Sequence, residues 1–262
     1  MNIIICIKQV PKTENVRLKA GETFSPEGLE RRINFFDTFS LEEACRIKDR
    51  DPDTNIILLT LGNEQSERGL IEGLSAGADK AYRISDPELV NCDTLATSRA
   101  LSKAIEFIES MEGKASLIFM GTQSTDSGCG IVPIMLSDIM DRPLISSVTE
   151  IQEITEDGVL KATVRGKDSF SEASGSLPLI ISMTKSSHEL RLPTFKRIRE
   201  ANRAPIVRLD QSVTGIPESY TSVMEVIKPG RKSKNSIVNT GDEEEGTRLL
   251  LDMLMEDNIF AR

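Results

Sequence analysis

The segment "GTQSTDSGCGIVPIMLSDIM", residues 121–140, carries the residue types that phosphate chemistry uses. It follows the apolar run "SLIFM" and passes into an apolar stretch with helical spacing, so small and hydroxyl residues occupy a strand-to-helix turn. Such a turn lets a ligand approach the backbone, and the first N–H groups of the following helix suit an anion. Residue types alone leave three outcomes open at this turn: a phosphate, a whole flavin, or nothing. Other chemistries lack their parts. The chain has one histidine, His188, beside "KSS", and no Ser/His/Asp arrangement suggests itself around it. Cys6, Cys45, Cys92 and Cys129 are far apart and form no C-x-x-C pair, so no metal site is expected. Cys6 and Cys45 fall in apolar strand and helix patterns and read as core thiols.

The elements that must position this turn follow from the apolar runs. "NIIICI", "NIILLTL" and "SLIFMG" are short, rich in Ile and Leu, and continuous rather than alternating, as parallel strands buried on both faces are. Helical patterns lie between them. "DTFSLEEACRIKDR" places Phe39, Leu41, Ala44 and Ile47 near one face, with Asp37 or Thr38 as N-cap. "EQSERGLIEGLSAGA" stops at Gly77, and "CDTLATSRALSKAIEFIESM" starts at a capping Asp93. Alternating strands and helices predict an α/β fold with a doubly wound, mostly parallel, Rossmann-like sheet. Ligands collect at the carboxyl ends of the strands in such sheets, and "CIKQVP", "TLGN" and "MGTQSTDSGCG" all converge there.

After Pro143, "SSVTEIQEI", "VLKATVRG", "SFSEASG" and "LPLIISM" read as a small antiparallel addition with turns at "EDG" and "SGS". Beyond Ser186, Pro, Arg and Lys become frequent. "TGIPESYTSVMEVIKPGRKSKNSIV" reads as an extended arm, and "EEGTRLLLDMLMEDNIF" as a closing helix with Leu249, Leu250, Met253 and Leu254 at helical spacing. An arm of this kind embraces a partner or folds back on its own domain. The 262 residues, 39% hydrophobic and 28% charged, describe an ordinary globular protein. A net charge of −9 argues against nucleic acid as main partner. No apolar run approaches the roughly 20 residues a membrane span requires. The start, "MNIIICIKQV", reads as a buried strand rather than a signal peptide, and a cytoplasmic location is expected.

"CIKQVP", "RINFFDTFSLEEA", "AGADKAYRISD", "CDTLATSRAL", "GTQSTDSGCGIVP", "LPLIISM" and "LRLPTFKRIREANRAPI", in this order, resemble the β subunit of electron transfer flavoproteins, a family that includes the FixA proteins. The likeness covers essentially the whole chain. It implies a heterodimer with an α subunit that holds an electron-carrying FAD. It also implies AMP in the β subunit, or in electron-bifurcating members a second FAD in the same site, reduced by NADH. A flavin-dependent dehydrogenase, such as an acyl-CoA dehydrogenase, is the implied redox partner. The resemblance divides the chain into a nucleotide-binding domain over residues 1–185, a partner recognition loop over 186–205, and an arm with a helix over 206–262.

The family's nucleotide-binding segments carry over to Cys6 and Lys8, to Asn34, Phe35, Phe36 and Asp37, and to Leu61 and Gly62. They also include the run Gly121, Thr122, Gln123, Ser124, Thr125, Asp126, Ser127, Gly128, Cys129, Gly130, Ile131 and Val132. Cys6 would approach the adenine, and Asn34 would offer its amide to adenine or ribose. The N–H groups of Ser127, Gly128, Cys129 and Gly130 would take a phosphate. Where the family commonly has an acidic residue, Thr and Gln in this loop, the present chain has Gly128, Cys129 and Ile131; Ile131 offers no amide, and Pro133 removes one N–H. In the recognition loop the resemblance places Phe195 at an apolar anchor position near Leu192 and Ile198. Lys196, Arg197 and Arg199 flank it and would steer an acidic partner. A longer closing segment resembles the tails of bifurcating members. A third reading is an AMP- or ATP-sensing module of the adenine nucleotide hydrolase-like group, which leaves the basic segment and the arm unexplained.

Overall fold

A computed structural model describes residues 1–89, 92–215, 217–228 and 241–256. Residues 229–240 of the expected arm and 257–262 of the closing helix lie outside the described residues. In chain order the elements begin with β1 (Asn2–Cys6), β2 (Gln9–Pro11), β3 (Arg31–Ile33), α1 (Phe35–Arg50), β4 (Asn55–Leu61) and α2 (Glu67–Ala76). β5 (Lys80–Ile84), α3 (Thr94–Glu112), β6 (Ala115–Gly121), α4 (Val132–Met140), β7 (Leu144–Ile154), β8 (Val159–Arg165) and β9 (Phe170–Ser176) follow. The last are β10 (Leu179–Met183), α5 (Phe195–Ala201), β11 (Ile206–Leu209), α6 (Gln211–Thr214) and α7 (Glu243–Glu256).

The described strands form a nine-stranded sheet in the order β11-β5-β4-β1-β6-β10-β7-β8-β9, and β2 and β3 form a separate antiparallel ribbon. From β11 to β7 every pairing is parallel; β7-β8 and β8-β9 are antiparallel. The expected mostly parallel sheet with a small antiparallel addition is thus present. One strand changes sides: "LPLIISM", expected in the antiparallel addition, forms β10 and lies parallel between β6 and β7. All five residues of β10 are buried, which is the continuous apolar pattern of a covered parallel strand.

The continuous apolar runs are explained by two cores. In β1, Ile3 and Ile5 face one core with Phe39, Leu41, Leu70 and Leu74 of α1 and α2. Ile4 and Cys6 face the other, with Ala100, Leu101, Ile105 and Ile108 of α3 and Leu136 of α4. Alternation is still present in the strand, but both faces are apolar because helices cover both. Cys6 and Cys45 are buried free thiols in these cores.

Helix starts agree with the sequence at α3, where the Asp93 side chain accepts the Ala96 N–H at 2.9 Å. They differ at α1, whose N-cap is Asn34 rather than Asp37 or Thr38. Asp37 lies in the first turn and, as described below, is engaged elsewhere. At α2, Gly77 closes the helix with φ of 154°, a conformation that side chains disfavour.

The chain forms two compact units, Met1–Val16 with Ser25–Met224, and Arg17–Phe24 with Glu225–Arg262. The second unit contains a short antiparallel contact between Thr23 and Ile227, with Phe24 N–H donating to Val226 O at 2.7 Å. It also contains α7, none of whose described residues is buried, and Leu250, Leu251 and Met255 are exposed on it. No helix among the described residues is long and apolar enough to cross a membrane.

Candidate functional site: the switch point between β1 and β6

The strand order sets the site. From β1 the chain runs outward through β4 and β5, then returns to the other side of β1 as β6. The loops after β1 and β6 therefore diverge at a topological switch point, where open α/β sheets form their ligand crevice. Cys6, Lys8 and Gly121 to either side of it are the residues the sequence placed there.

Asp37 ties this switch point together. Its carboxylate accepts the Lys8 N–H at 2.6 Å, the Asn34 side-chain amide at 2.9 Å and the Gly121 N–H at 2.9 Å. One side chain from α1 thus joins the loop after β1 to the end of β6. Burial pushes the Asp37 carboxyl up to about 7, even though those three donors and the nearby Lys8 charge favour its ionised form. Burial, and then the Asp37 charge, likewise raise the Cys6 thiol far above its ordinary value. Cys6 is therefore a neutral strand-end thiol of small volume, not a reactive one.

Asn34 extends the knot into the long loop. Its amide nitrogen also donates to Gln123 O at 2.9 Å, and its side-chain oxygen accepts the Thr125 N–H at 3.0 Å. The side chain is buried, and its amide group bonds Asp37, Gln123 and Thr125. The expectation that Asn34 presents its amide to adenine or ribose is not met in this arrangement, because shaping the loop uses that amide. Phe35 and Phe36 stand beside it, stacked edge to face with ring centroids 5.5 Å apart; Phe35 also meets Phe39 at 4.9 Å. Gly121 has no room for a side chain: a Cβ there would collide with the Asp37 carboxylate and lie 2.7 Å from the Phe36 Cβ.

The loop from Thr122 to Ile131 is bonded to itself over its first part. Thr122 N–H donates to Met183 O of β10 at 2.8 Å, Ser124 and Ser127 hydroxyls meet at 2.7 Å, and Gly128 N–H donates to Ser124 O at 2.8 Å. Asp126 receives the Lys8 ammonium at 2.8 Å. Burial lifts the Asp126 carboxyl, but the Lys8 cation, the Ser124 hydroxyl and the Ser127 N–H together hold it below the ordinary carboxylate range. Of the four N–H groups expected to take a phosphate, those of Ser127 and Gly128 are therefore already engaged inside the loop. The N–H groups of Cys129, Gly130, Ile131 and Val132 have no acceptor among the described residues. They run into the N-terminus of the nine-residue α4, whose N-cap Ile131 supplies no side-chain cap. Gly128 and Gly130 take φ of 67° and 64°, the left-handed conformation that lets the loop turn tightly before α4. Four unclaimed N–H groups at a helix start fit a phosphate.

Leu61 and Gly62 end β4 in a tight turn: Gly62 O accepts the Arg83 guanidinium at 3.0 Å, and a Cβ on Gly62 would come within 2.9 Å of the Ser66 Cβ. They lie at the same carboxyl edge of the sheet as Cys6.

The basic segment lies elsewhere, as α5 and the chain before it. Leu192 and Phe195 are 94% and 93% exposed, so neither packs on the protein's own surface. Ile198 is exposed at 38%, and Lys196, Arg197 and Arg199 are exposed around it. Thr194 caps α5 by accepting the Arg197 N–H at 3.3 Å. Sequence reasoning missed what holds this segment: Arg191 is bonded to Glu42 and Asp49 of α1. No local pattern signals a pairing across 149 residues. It also missed the second use of Asp93, whose carboxylate accepts the Tyr220 and Thr221 N–H groups at 2.7 and 3.1 Å.

Comparison with known proteins identifies a family. A family described as "Electron transfer flavoprotein domain" matches residues 22–214. The electron transfer flavoprotein subunit beta of Megasphaera elsdenii is 30% identical over 98% of this chain and 97% of its own length. Protein FixA of Azotobacter vinelandii is 31% identical, over 90% of this chain and 87% of its own. The caffeyl-CoA reductase–Etf complex subunit CarD of Acetobacterium woodii is 28% identical, over 99% of this chain and its full length. With nearly full-length relatives and a family match across most of the sheet, the chain belongs to the electron transfer flavoprotein β-subunit family.

Proposed function

We propose that this chain is the β subunit of a heterodimeric electron carrier. It shapes the flavin environment of an α subunit, binds AMP at its switch point, and docks a flavin-dependent dehydrogenase such as an acyl-CoA dehydrogenase. The observation that carries the reading is the row of N–H groups from Cys129 to Val132, unclaimed by the described residues at the head of α4. Those groups would hold the phosphate, with Gly128 and Gly130 setting the turn and Asp37 and Asn34 bracing the loop. Lys8, bonded to Asp126, adds positive charge to the same loop. A phosphate needs only such donors and charge, whereas a flavin makes further polar demands that Ile131 cannot meet. The FAD supplies the redox chemistry when bound, and the residues of this chain bind, orient and dock. α7, with its exposed leucines, suits the α subunit as the surface the arm embraces.

Docking is assigned to Phe195 and Leu192, with Lys196, Arg197 and Arg199 steering the approach. Phe195→Ala should raise the heterodimer concentration needed for half-maximal electron transfer from the dehydrogenase about tenfold or more, the loss of one buried aromatic anchor. Unchanged transfer would sink the docking assignment.

One observation favours a second reading. The full-length likeness to a caffeyl-CoA reductase–Etf subunit is compatible with a second FAD in place of AMP, reduced by NADH, with electrons then split between two paths. NADH added to the isolated heterodimer separates the readings: rapid loss of flavin absorbance without any dehydrogenase supports this one, and stable absorbance supports the simple carrier.

A further inference from the structure

Arg191 sits one residue before an exposed apolar ridge and makes every bond its guanidinium geometry allows to two carboxylates. Its Nε and Nη2 bond both oxygens of Glu42, at 3.0 and 2.9 Å, and its own backbone N–H adds a third bond to Glu42 at 3.0 Å. Nη1 and Nη2 bond both oxygens of Asp49, at 3.2 and 2.8 Å. Glu42 and Asp49 are seven residues apart on α1, two turns along one face, so the helix presents them as a fixed pair. Glu42 is buried and Asp49 is exposed, which places the fork across the rim of the protein. The Arg191 hydrogen bonds hold the Asp49 carboxyl below its ordinary value and raise Arg191 itself. Planar, bidentate, charge-assisted pairs of this kind fix direction as well as position.

What they fix is the chain between β10 and α5. That chain borders an open cleft of about 430 Å³, lined by Arg191 and Asp49 themselves with Cys45, Lys48, Gly77 and Pro193 among others. Leu192 is at the rim of this cleft, yet it is 94% exposed, and Phe195 at 93%. Leu192, an apolar side chain beside unfilled space, has reason to fold into it. The bonds to α1 oppose that collapse.

We propose that Arg191 is a positioning residue for dehydrogenase docking. By pinning the chain to Glu42 and Asp49 it keeps Leu192 out of the cleft and fixes the chain that leads into Phe195, so the ridge meets its partner already ordered. This rests on the reading of Leu192 and Phe195 as docking residues. An anchor held in its bound direction loses less conformational freedom on binding.

The test titrates the complete heterodimer against a flavin dehydrogenase with which the parent heterodimer exchanges electrons, comparing the parent, Arg191→Lys, Phe195→Ala, Leu192→Ala, and Phe195→Ala Leu192→Ala with and without Arg191→Lys. Arg191→Lys keeps the charge and loses the fork. It should raise the half-saturating concentration about tenfold, as expected when a preorganised loop must be re-ordered on binding, and leave the limiting rate unchanged. In the Phe195→Ala Leu192→Ala background the same change should add less than about twofold, because no apolar anchor remains to position. Asp49→Asn, at an exposed site, repeats the comparison if Arg191→Lys fails to fold. Half-saturation at the parent value in Arg191→Lys, with Phe195→Ala impaired, overturns the proposal and leaves the docking reading standing. Equal effects of Arg191→Lys in both backgrounds also overturn it, since they mark a structural role alone. No effect of Phe195→Ala or Leu192→Ala removes the docking reading, and the proposal with it.

Discussion

A carboxylate that accepts three donors from three different segments, as Asp37 does, has two properties that oppose each other. The donors favour its charge, while burial favours its neutral form, and burial dominates, lifting it from 3.8 to about 7. The folded protein then holds a proton that the unfolded chain has already released, so the contribution of this group to stability falls as pH rises from about 4 to 7. In urea unfolding across that window, the parent should lose stability with pH more steeply than Asp37→Asn, by up to about 1.4 kcal/mol per pH unit. Equal slopes would show that Asp37 is ionised throughout. The sequence singled out Asp37 and Asn34 as site positions but not the bonds they make to the loops. Asp37 reads locally as a helix cap, and Asn34 as a ligand contact, because their partners lie 29 to 91 residues away. Cys129 and Ile131 were legible as departures from the family's loop, yet the N–H groups that matter there belong to the backbone and carry no residue signature.

Elements were easier to read than contacts. β1, β4 and β6 announced themselves because strands covered on both faces leave a run of apolar residues whatever their neighbours. α3 was legible through its Asp93 cap, and α2 through Gly77. β10 was misplaced because four apolar residues and one serine after a turn say "buried" without saying which strand they pair with; pairing is a property of the whole sheet. The junction of β6 with α1 allows a prediction at this scale. Gly121→Ala would drive a Cβ into the Asp37 carboxylate and the Phe36 side chain, and an overpacked site of this kind costs about 1–3 kcal/mol. Gly128→Ala enters open space and meets only the positive φ, a cost of about 1–2 kcal/mol. Denaturant unfolding should rank Gly121→Ala as the more damaging, and nucleotide content should drop with it because β6, α1 and the loop share Asp37. Equal or reversed ranking would mean that the close approach at Gly121 relaxes without loss.

At the scale of the whole molecule, the strand order decides where the loops can meet a ligand or a partner. The sheet brings two loops apart at β1 and β6, α4 points its N-terminus at the gap, and an exposed apolar ridge stands before α5. The convergence of the loops after β1 and β6 at one sheet edge was foreseeable from the order of the motifs along the chain. The pairing of Arg191 with Glu42 and Asp49, and the division into Met1–Val16 with Ser25–Met224 and Arg17–Phe24 with Glu225–Arg262, were not, because both join residues far apart in sequence. The central claim is that the head of α4 holds the phosphate of AMP while the electron-carrying FAD belongs to the α subunit. The most direct measurement is to co-purify the chain with its α subunit, release bound nucleotides with acid, and quantify FAD and AMP per heterodimer. One FAD and one AMP is the predicted result. Two FAD without AMP, or one FAD with no AMP, would contradict it.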